Sequence, residues 1–419
     1  MNGAPRVLHV VESWPPVPSG YASRSHWIVR SQARLGVAVP AVLVTSRQQV
    51  YGEHAHAEPD GLPVEQVEPS HRERARRDAA PAPFRRPFHV DVDHLRRSVE
   101  HAARRHAADL VHVHWASGIG RAAVQAARNL SLPAVAELRF DLAGAMLAQS
   151  ARGYGRLVEP LARRWFERHV DGAAAVVVAS DALGTLVRRT HGLSEQALTV
   201  VPNGIDPAFV TACDRARQEH DEHGTGVAAG SPVTVGTTSK MLHYEGLDTL
   251  IRTAVALPDI DLVFIGDGPE RARLEAQAAP LNRERPGRVR FTGVVPKTRI
   301  PELLATIDVF AVPRRELSIT RYASPIKVIE AMAAARCTVA TAVGDQAVLL
   351  GEGRGTLVAP GDGRAFTDAI AARVADAHGR RRIGHLARHH ALERYDGDTL
   401  IRRYASVYHD ALSAPRSSG

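Results

Sequence analysis

Cysteine is almost absent from this chain: Cys213 and Cys337 are the only two in 419 residues. Two thiols so far apart cannot build a disulfide framework and lack the paired spacing of a zinc site, which points to a reducing compartment. Aromatic residues are scarce too, at 5%. The arginines therefore have no stacking platform beside them, and no recognised nucleic-acid motif accompanies them, so nucleic acid is disfavoured as a partner. Long apolar runs are missing, since stretches such as Gly172–Ala179 fall far below the roughly 18 residues of a membrane-spanning helix. The N-terminus enters the strand-like run Arg6–Val11 without the charged region, apolar region and cleavage site of a secretory leader. A cytoplasmic protein is expected. No internal repeat is visible, and the 26 prolines and 33 glycines fall in short punctuating groups unlike those of collagen or disordered chains.

What is present is length and positive charge. A chain of 419 residues exceeds what one hydrophobic core usually supports, so two domains are expected. Lys and Arg exceed Asp and Glu by 53 to 45, a net charge of +8 that could attract phosphates or an anionic membrane face. The arginine-rich stretch Arg72–Arg105, with Arg76, Arg77, Arg85, Arg86, Arg96, Arg97 and Arg104, is either a peripheral contact to anionic lipid or an acidic acceptor, or a solvated surface.

Short β-branched runs alternate with longer Ala/Arg/Leu-rich segments, the rhythm of βαβ units with right-handed crossovers. Strands are expected at Arg6–Val11, Val39–Thr45, Leu110–His114, Ala134–Leu138, Ala174–Ala179 and Leu198–Val201, then at Val233–Gly236, Leu262–Ile265, Arg290–Thr292, Val309–Val312 and Thr338–Ala340. The polar stretch Thr211–Ser231, following Pro202–Pro207, reads as the linker. The expected fold is α/β, with two Rossmann-like domains facing an interdomain cleft: residues 1–205, residues 206–395, and a C-terminal helix and tail over 396–419 packing back toward the N-terminal domain. Open α/β sheets bind ligands at the carboxyl ends of their strands.

The most informative stretch is Val312–Ala333, where a strand ends, a polar loop follows and Pro325 opens a helix. The exposed amides and dipole of that helix start, around Ser324 and Ile326, make an anion site. Lys327 lies just inside it, and Glu330 falls on the same face at i+3, where a carboxylate can accept from a ribose diol. The alternative is an ordinary surface pair. Upstream, Gly266 and Gly268 in the turn after Leu262–Ile265 either let a flat ligand approach the backbone or merely make the turn. Gly293 and Val294, ending the next strand, could read a base edge.

The ordered set VPNGID, YEGLDTLI, FIGDGPE, FTGVVP and SPIKVIEAMA resembles the retaining GT-B glycosyltransferases of family 4, over nearly the whole chain. The resemblance implies a nucleotide-diphosphate sugar donor, UDP-sugar favoured over GDP-sugar, held mainly by the C-terminal half, and a hydroxyl acceptor. It implies no cofactor and no metal. Glu330 would bind ribose and Lys327 the diphosphate, with the base near FTGVVP. His114, at the end of Leu110–His114, would reach the donor sugar, or be a satisfied core histidine. Arg139 stands where many relatives have another histidine and could stabilise phosphate. Gly20 at the first helix start allows close approach of a phosphate or an acceptor, and Tyr21, Arg24 and His26 are candidate acceptor contacts or a solvated helical turn.

The chain departs from the family pattern in two places. The family's second glutamate is replaced by Tyr322, leaving Glu316 or a backbone amide to stand in. On the loop after Val233–Gly236, with Thr238, Ser239 and Lys240 as donor contacts, Glu245 replaces the usual lysine and Thr237 lies near the usual arginine. Lys240, Arg314, Arg315 or Arg321 is then expected to supply positive charge. These departures fit an exopolysaccharide-type subfamily. The competing readings are another GT-B activity, such as a phosphorylase or nucleotide-sugar epimerase, and a non-catalytic nucleotide-sugar-binding protein. A dinucleotide oxidoreductase is disfavoured because no Gly-x-Gly-x-x-Gly follows the first strand. Asp91 and Asp93, with His94, are discounted as metal ligands.

Overall fold

The computed structural model describes residues 3–17, 20–46, 61–74, 90–114, 118–139, 141, 171–194, 197–222 and 232–414. They group into two compact units, Met1–Pro202 with Asp398–Gly419, and Asn203–Gly397.

The first unit holds seven parallel strands: β1 (Arg6–Val11), β2 (Val39–Val44), β3 (Val64–Gln66), β4 (Leu110–His114), β5 (Ala134–Leu138), β6 (Ala175–Val178) and β7 (Leu198–Val200), in the order β3-β2-β1-β4-β5-β6-β7. The second holds six: β8 (Val233–Thr238), β9 (Ile260–Ile265), β10 (Val289–Phe291), β11 (Val309–Val312), β12 (Cys337–Thr341) and β13 (Thr356–Val358), in the order β10-β9-β8-β11-β12-β13. Near-continuous apolar runs form the central strands because helices cover both faces of a parallel sheet. In each sheet the strand order reverses once, between β1 and β4 and between β8 and β11, and the carboxyl ends of those pairs are where such folds bind ligands.

Helix ends follow local chemistry. Ser180 caps the helix Asp181–His191 by accepting from the Leu183 amide at 3.2 Å, and Gly192 closes it at a left-handed φ of 63° that glycine adopts without strain. The helix Gly397–Ser413 places Leu400, Ile401, Tyr404, Val407, Tyr408 and Ala411 in one core with Val7, Leu110, Val135 and Val177. That spacing is a single helical stripe, and it makes the closing helix part of the first unit's core. In the second unit the two faces of the sheet carry separate cores, one around Phe310, Val328, Ile329 and Met332 and one around Leu250, Phe264, Leu274 and Phe366.

The stretch expected as a linker is in part a helix, Pro207–Glu222, which buries Phe209, Cys213 and Ala216. Its narrow apolar stripe is diluted by charges on the other faces, so composition alone reads as a linker; residues 223–231 lie outside the described residues. The strands β3 and β13, not anticipated from sequence, are three-residue edges too short for a periodic signal. Asp91 is the N-cap of the helix Val92–Arg105 and accepts from the His94 amide and the Ser70 hydroxyl. Among the described residues no helix is long and apolar enough to cross a membrane.

Candidate functional site

At the carboxyl ends of β1, β4 and β5 the first unit buries an ionic and imidazole network. His112 and His114 project from the same face of β4, ring centroids 4.2 Å apart, and the parallel register sets His9 beside His112. The carboxylate of Glu137, fully buried on β5, accepts from Arg24 Nε at 2.9 Å, Arg139 Nε at 2.8 Å and the Tyr404 hydroxyl at 2.6 Å. Burial alone would raise the Glu137 pKa, but Arg24 and Arg139 hold it well below the usual carboxylate range.

Hydrogen-bond chemistry fixes the proton positions. A guanidinium can only donate, so Arg139, 2.6 Å from His114 Nδ1, forces the His114 proton onto Nε2, which faces His9 Nδ1 at 2.8 Å. Burial, followed by the neighbouring His112 imidazole, keeps His9 and His114 well below their ordinary pKa, so both rings are neutral. The three histidines bring ligand atoms within 4.8 Å of one another. Their donor set nevertheless suits a hydrogen-bond chain better than a metal: both His114 nitrogens are engaged, and two guanidiniums against one carboxylate already leave the cluster positive.

The closing helix reaches this network through Tyr404 and through Tyr408, whose hydroxyl lies 2.7 Å from His112 Nδ1 and 2.9 Å from Gln32 Nε2. Glu137, His9, Tyr404 and Tyr408 were not among the sequence candidates. A polar residue inside a fully buried strand was the available signal for the first two.

The expected acceptor contacts are placed differently from one another. Arg24 is 4% exposed, with its guanidinium on Glu137 and on the Val201 carbonyl at 2.7 Å; two buried acceptors draw it inward from its helix Gly20–Arg34. The Tyr21 carbonyl accepts from Arg139 at 2.9 Å, and half-buried His26 meets the Trp14 ring edge-on at 5.2 Å. Gly20 starts the helix, and a Cβ built there would meet no atom of the described residues within 4 Å. Of the arginine-rich stretch, Arg76, Arg77, Arg85 and Arg86 lie outside the described residues, while Arg96 and Arg105 pair with Glu100 and Glu65.

In the second unit the helix Ile326–Ala333 begins without a side-chain cap, leaving its first amides open at the positive end of its dipole. Lys327 is buried, its Nζ 2.8 Å from Glu245 Oε2. Arg314, on the loop after β11, meets the same carboxylate through Nε at 3.3 Å and its NH2 group at 3.2 Å. Burial would raise the Glu245 pKa, yet Arg314 and Lys327 bring it down to about 2. Burial also lowers the Lys327 pKa against the pull of Glu245. One turn on, the half-buried carboxylate of Glu330 makes no hydrogen bond or ion pair among the described residues, and burial raises its pKa against Lys297 and Lys327.

Of the cations expected to supply positive charge, Arg314 is the one beside Lys327. Arg315 pairs with Asp248 at 2.9 Å, Arg321 with exposed Glu316 at 2.8 Å, and Lys240 is exposed. Glu316, the candidate stand-in for the missing carboxylate, is thus held by Arg321, and the carboxylate that meets Lys327 is Glu245. The glycine turn serves packing first: a Cβ on Gly266 would stand 2.1 Å from the Ser239 carbonyl oxygen, and one on Gly268 1.6 Å from that of Lys240. This contact fixes the Thr238–Lys240 loop, with the Ser239 amide on Ile265 O at 2.8 Å. Gly293 bridges to Gly266, Val294 beside it is 65% exposed, and the Ser324 carbonyl accepts from Asn203.

Two doubly wound units, the second with an open helix start and a buried cation pair, define a GT-B architecture. Residues 26–209 match Glycosyltransferase Family 4 and residues 232–376 match Glycosyl transferases group 1. The GDP-mannose-dependent alpha-mannosyltransferase of Mycolicibacterium smegmatis is 30% identical over 312 residues, 71% of this chain and 74% of that protein. The chain belongs to the family 4 glycosyltransferases. It is also 27% identical to the 2-deoxystreptamine glucosyltransferase of Streptomyces kanamyceticus over 50% of this chain, and spans only 54% of that relative's length. Among solved structures, HepE of Anabaena in complex with UDP-glucose has a TM-score of 0.70 at 19% identity, covering 97% of this chain and 99% of that one. The sucrose-phosphate synthase of Thermosynechococcus elongatus has 0.77 at 18%, covering 98% and 100%.

Proposed function

We propose that the protein is a metal-independent, retaining glycosyltransferase that moves a sugar from a nucleotide-diphosphate donor, UDP-sugar before GDP-sugar, to a hydroxyl acceptor. The observation that carries this reading is the start of the helix Ile326–Ala333, where buried Lys327, Arg314 on the same Glu245 carboxylate and uncapped amides stand one turn from the carboxylate of Glu330, which has no hydrogen-bond partner among the described residues. A diphosphate joined to a ribose asks for cations and amides at one end and a diol acceptor at the other. Family membership supports the reaction class, and the UDP-glucose complex of a fold neighbour supports the donor class.

Retention requires the acceptor hydroxyl to attack the anomeric carbon on the face the diphosphate leaves. The main catalytic work is then stabilising charge that develops on the leaving oxygen, and preorganised cations and amides do this without a protein nucleophile. In such a front-face reaction the leaving phosphate takes the acceptor proton. His114, 1% exposed with its two nitrogens engaged by Arg139 and His9, fits the core-histidine alternative, so no direct sugar contact is assigned to it or to Arg139, whose guanidinium is engaged by Glu137, His114 and the Tyr21 carbonyl.

The test is titration of the protein with UDP and GDP in the presence of EDTA, followed by turnover of UDP-glucose with a panel of hydroxyl acceptors and NMR of the product's anomeric centre. Binding without metal and a product of unchanged anomeric configuration are expected. Binding that needs added magnesium or manganese refutes metal independence, an inverted product refutes retention, and binding without turnover on any acceptor favours the non-catalytic alternative.

A further inference from the structure

Buried polar donors without partners are rare in native proteins, and each calls for an occupant. At the β8/β11 switch point two are found together with a buried cation pair. Arg314, 8% exposed, leaves its NH1 group without a hydrogen-bond partner among the described residues, and so does the Thr237 hydroxyl at the end of β8. Both lie at the carboxyl edge of adjacent strands, since Val309 pairs with Val235 and Phe310 with Gly236.

The arrangement around Glu245 explains how the unused donors are aimed. Its two oxygens take the Nε and NH2 side of the Arg314 fork and one proton of the Lys327 ammonium. An arginine has five N–H donors and an ammonium three, so NH1 of Arg314 and two protons of Lys327 remain. One carboxylate against two cations leaves the group with a net positive charge in a buried setting, which favours an anion that can accept several hydrogen bonds at once. A phosphoanhydride does this, and the uncapped start of Ile326–Ala333 adds amides to the same cations.

We infer that Arg314 is a donor-binding residue, gripping the diphosphate of the nucleotide through NH1, and that Glu245 is a positioning residue that holds Arg314 and Lys327 as one phosphate clamp. The inference rests on the proposed donor class and extends it by assigning the charge that replaces the basic residue lost at position 245. Glu245 thereby does the opposite of what its sign suggests: it organises an anion site by anchoring both cations.

The experiment compares the affinities of UDP and uridine, measured by calorimetry in EDTA, for the full chain and for Arg314→Gln. The wild type is expected to bind UDP more tightly than uridine. Arg314→Gln is expected to weaken UDP by roughly tenfold to a hundredfold, the range for a hydrogen bond between charged groups, while uridine is unchanged and the salt dependence of UDP binding falls. Unchanged UDP affinity overturns the assignment, as does an equal loss for uridine, because a structural role would damage both. If the melting curve shows Arg314→Gln to be unfolded, Arg314→Lys, which keeps the charge against Glu245 but not the fork, must lose the preference for UDP; retention of the full preference overturns the assignment. A wild type that binds neither UDP nor GDP refutes the proposed donor class itself, and a wild type that binds UDP while the variants bind equally well refutes only the role of Arg314.

Discussion

Replacing Glu137 with glutamine is expected to destabilise the first unit more than any surface change. The carboxylate is fully buried and is the shared partner of Arg24 and Arg139, at 2.9 and 2.8 Å, with Tyr404 donating to its other oxygen at 2.6 Å. Glutamine keeps the shape and one acceptor. It removes the negative charge shared by two buried guanidiniums and presents an amide donor to groups that themselves donate. Leaving a buried charge uncompensated costs about 3–5 kcal/mol. For a unit of this size that corresponds to a fall in melting temperature of roughly 6–20 °C.

Differential scanning calorimetry at neutral pH, with the two units' transitions resolved, measures this fall. Turnover should fall in parallel with the folded fraction, since the first unit loses the network around Glu137. A transition within about 2 °C of the wild type would show that water or backbone groups compensate the arginines, and would refute the electrostatic account of the network.

Lys327→Ala and Glu330→Ala are each expected to lower turnover about a hundredfold or more, as for loss of one preorganised charge-stabilising group, while the circular dichroism of the folded protein is kept; near-normal kinetics in either removes that residue from the donor site. The folded-state pKa values of His9, His112 and His114 are all lowered by burial, so the unfolded chain binds protons first and stability falls as pH drops below about 6.5. Each histidine contributes up to about 1.4 kcal/mol per pH unit, and the three together about 4. The Glu137 contribution, with its depressed pKa, is lost only as pH falls below the ordinary carboxylate range. Urea unfolding at pH 7.5, 6.5 and 5.5 checks this, and His9→Asn should shallow the slope by about one proton; a flat profile would show that the imidazoles titrate normally.

The fold was legible because most of the parallel strands are short apolar runs and most crossover helices announce themselves by composition, the edge strands β3 and β13 and the helix Pro207–Glu222 being the exceptions. His112 and His114 could be read as neighbours from the period of two along a strand. His9 could not, since its place beside them depends on the register of β1 against β4. Apart from adjacent Arg139, Glu137 draws its partners from 113 residues before it and 267 after it, a separation at which no local pattern survives. The same holds for Glu245, whose cations lie 69 and 82 residues downstream. The family resemblance implies a lysine at that position, but only the packed loops show that the carboxylate in its place draws Arg314 and Lys327 together. Gly266 and Gly268 look the same in sequence whether they admit a ligand or a neighbouring loop, and the close carbonyls of Ser239 and Lys240 reveal the second use.

The closing helix also sets the order in which the protein can be finished during synthesis. Tyr404 and Tyr408 complete the core of a unit whose strands all emerge before residue 203. Nearly the whole of the other unit must leave the ribosome in between, at about 5–20 residues per second a wait of roughly 10–40 seconds. During that interval Glu137 holds two arginines without its tyrosine, and the apolar groove destined for Leu400, Ile401 and Val407 is open to water and to chaperones. The half that begins first is completed last, so a nascent chain stalled short of Tyr404 would carry a closed second unit and an unsealed first one.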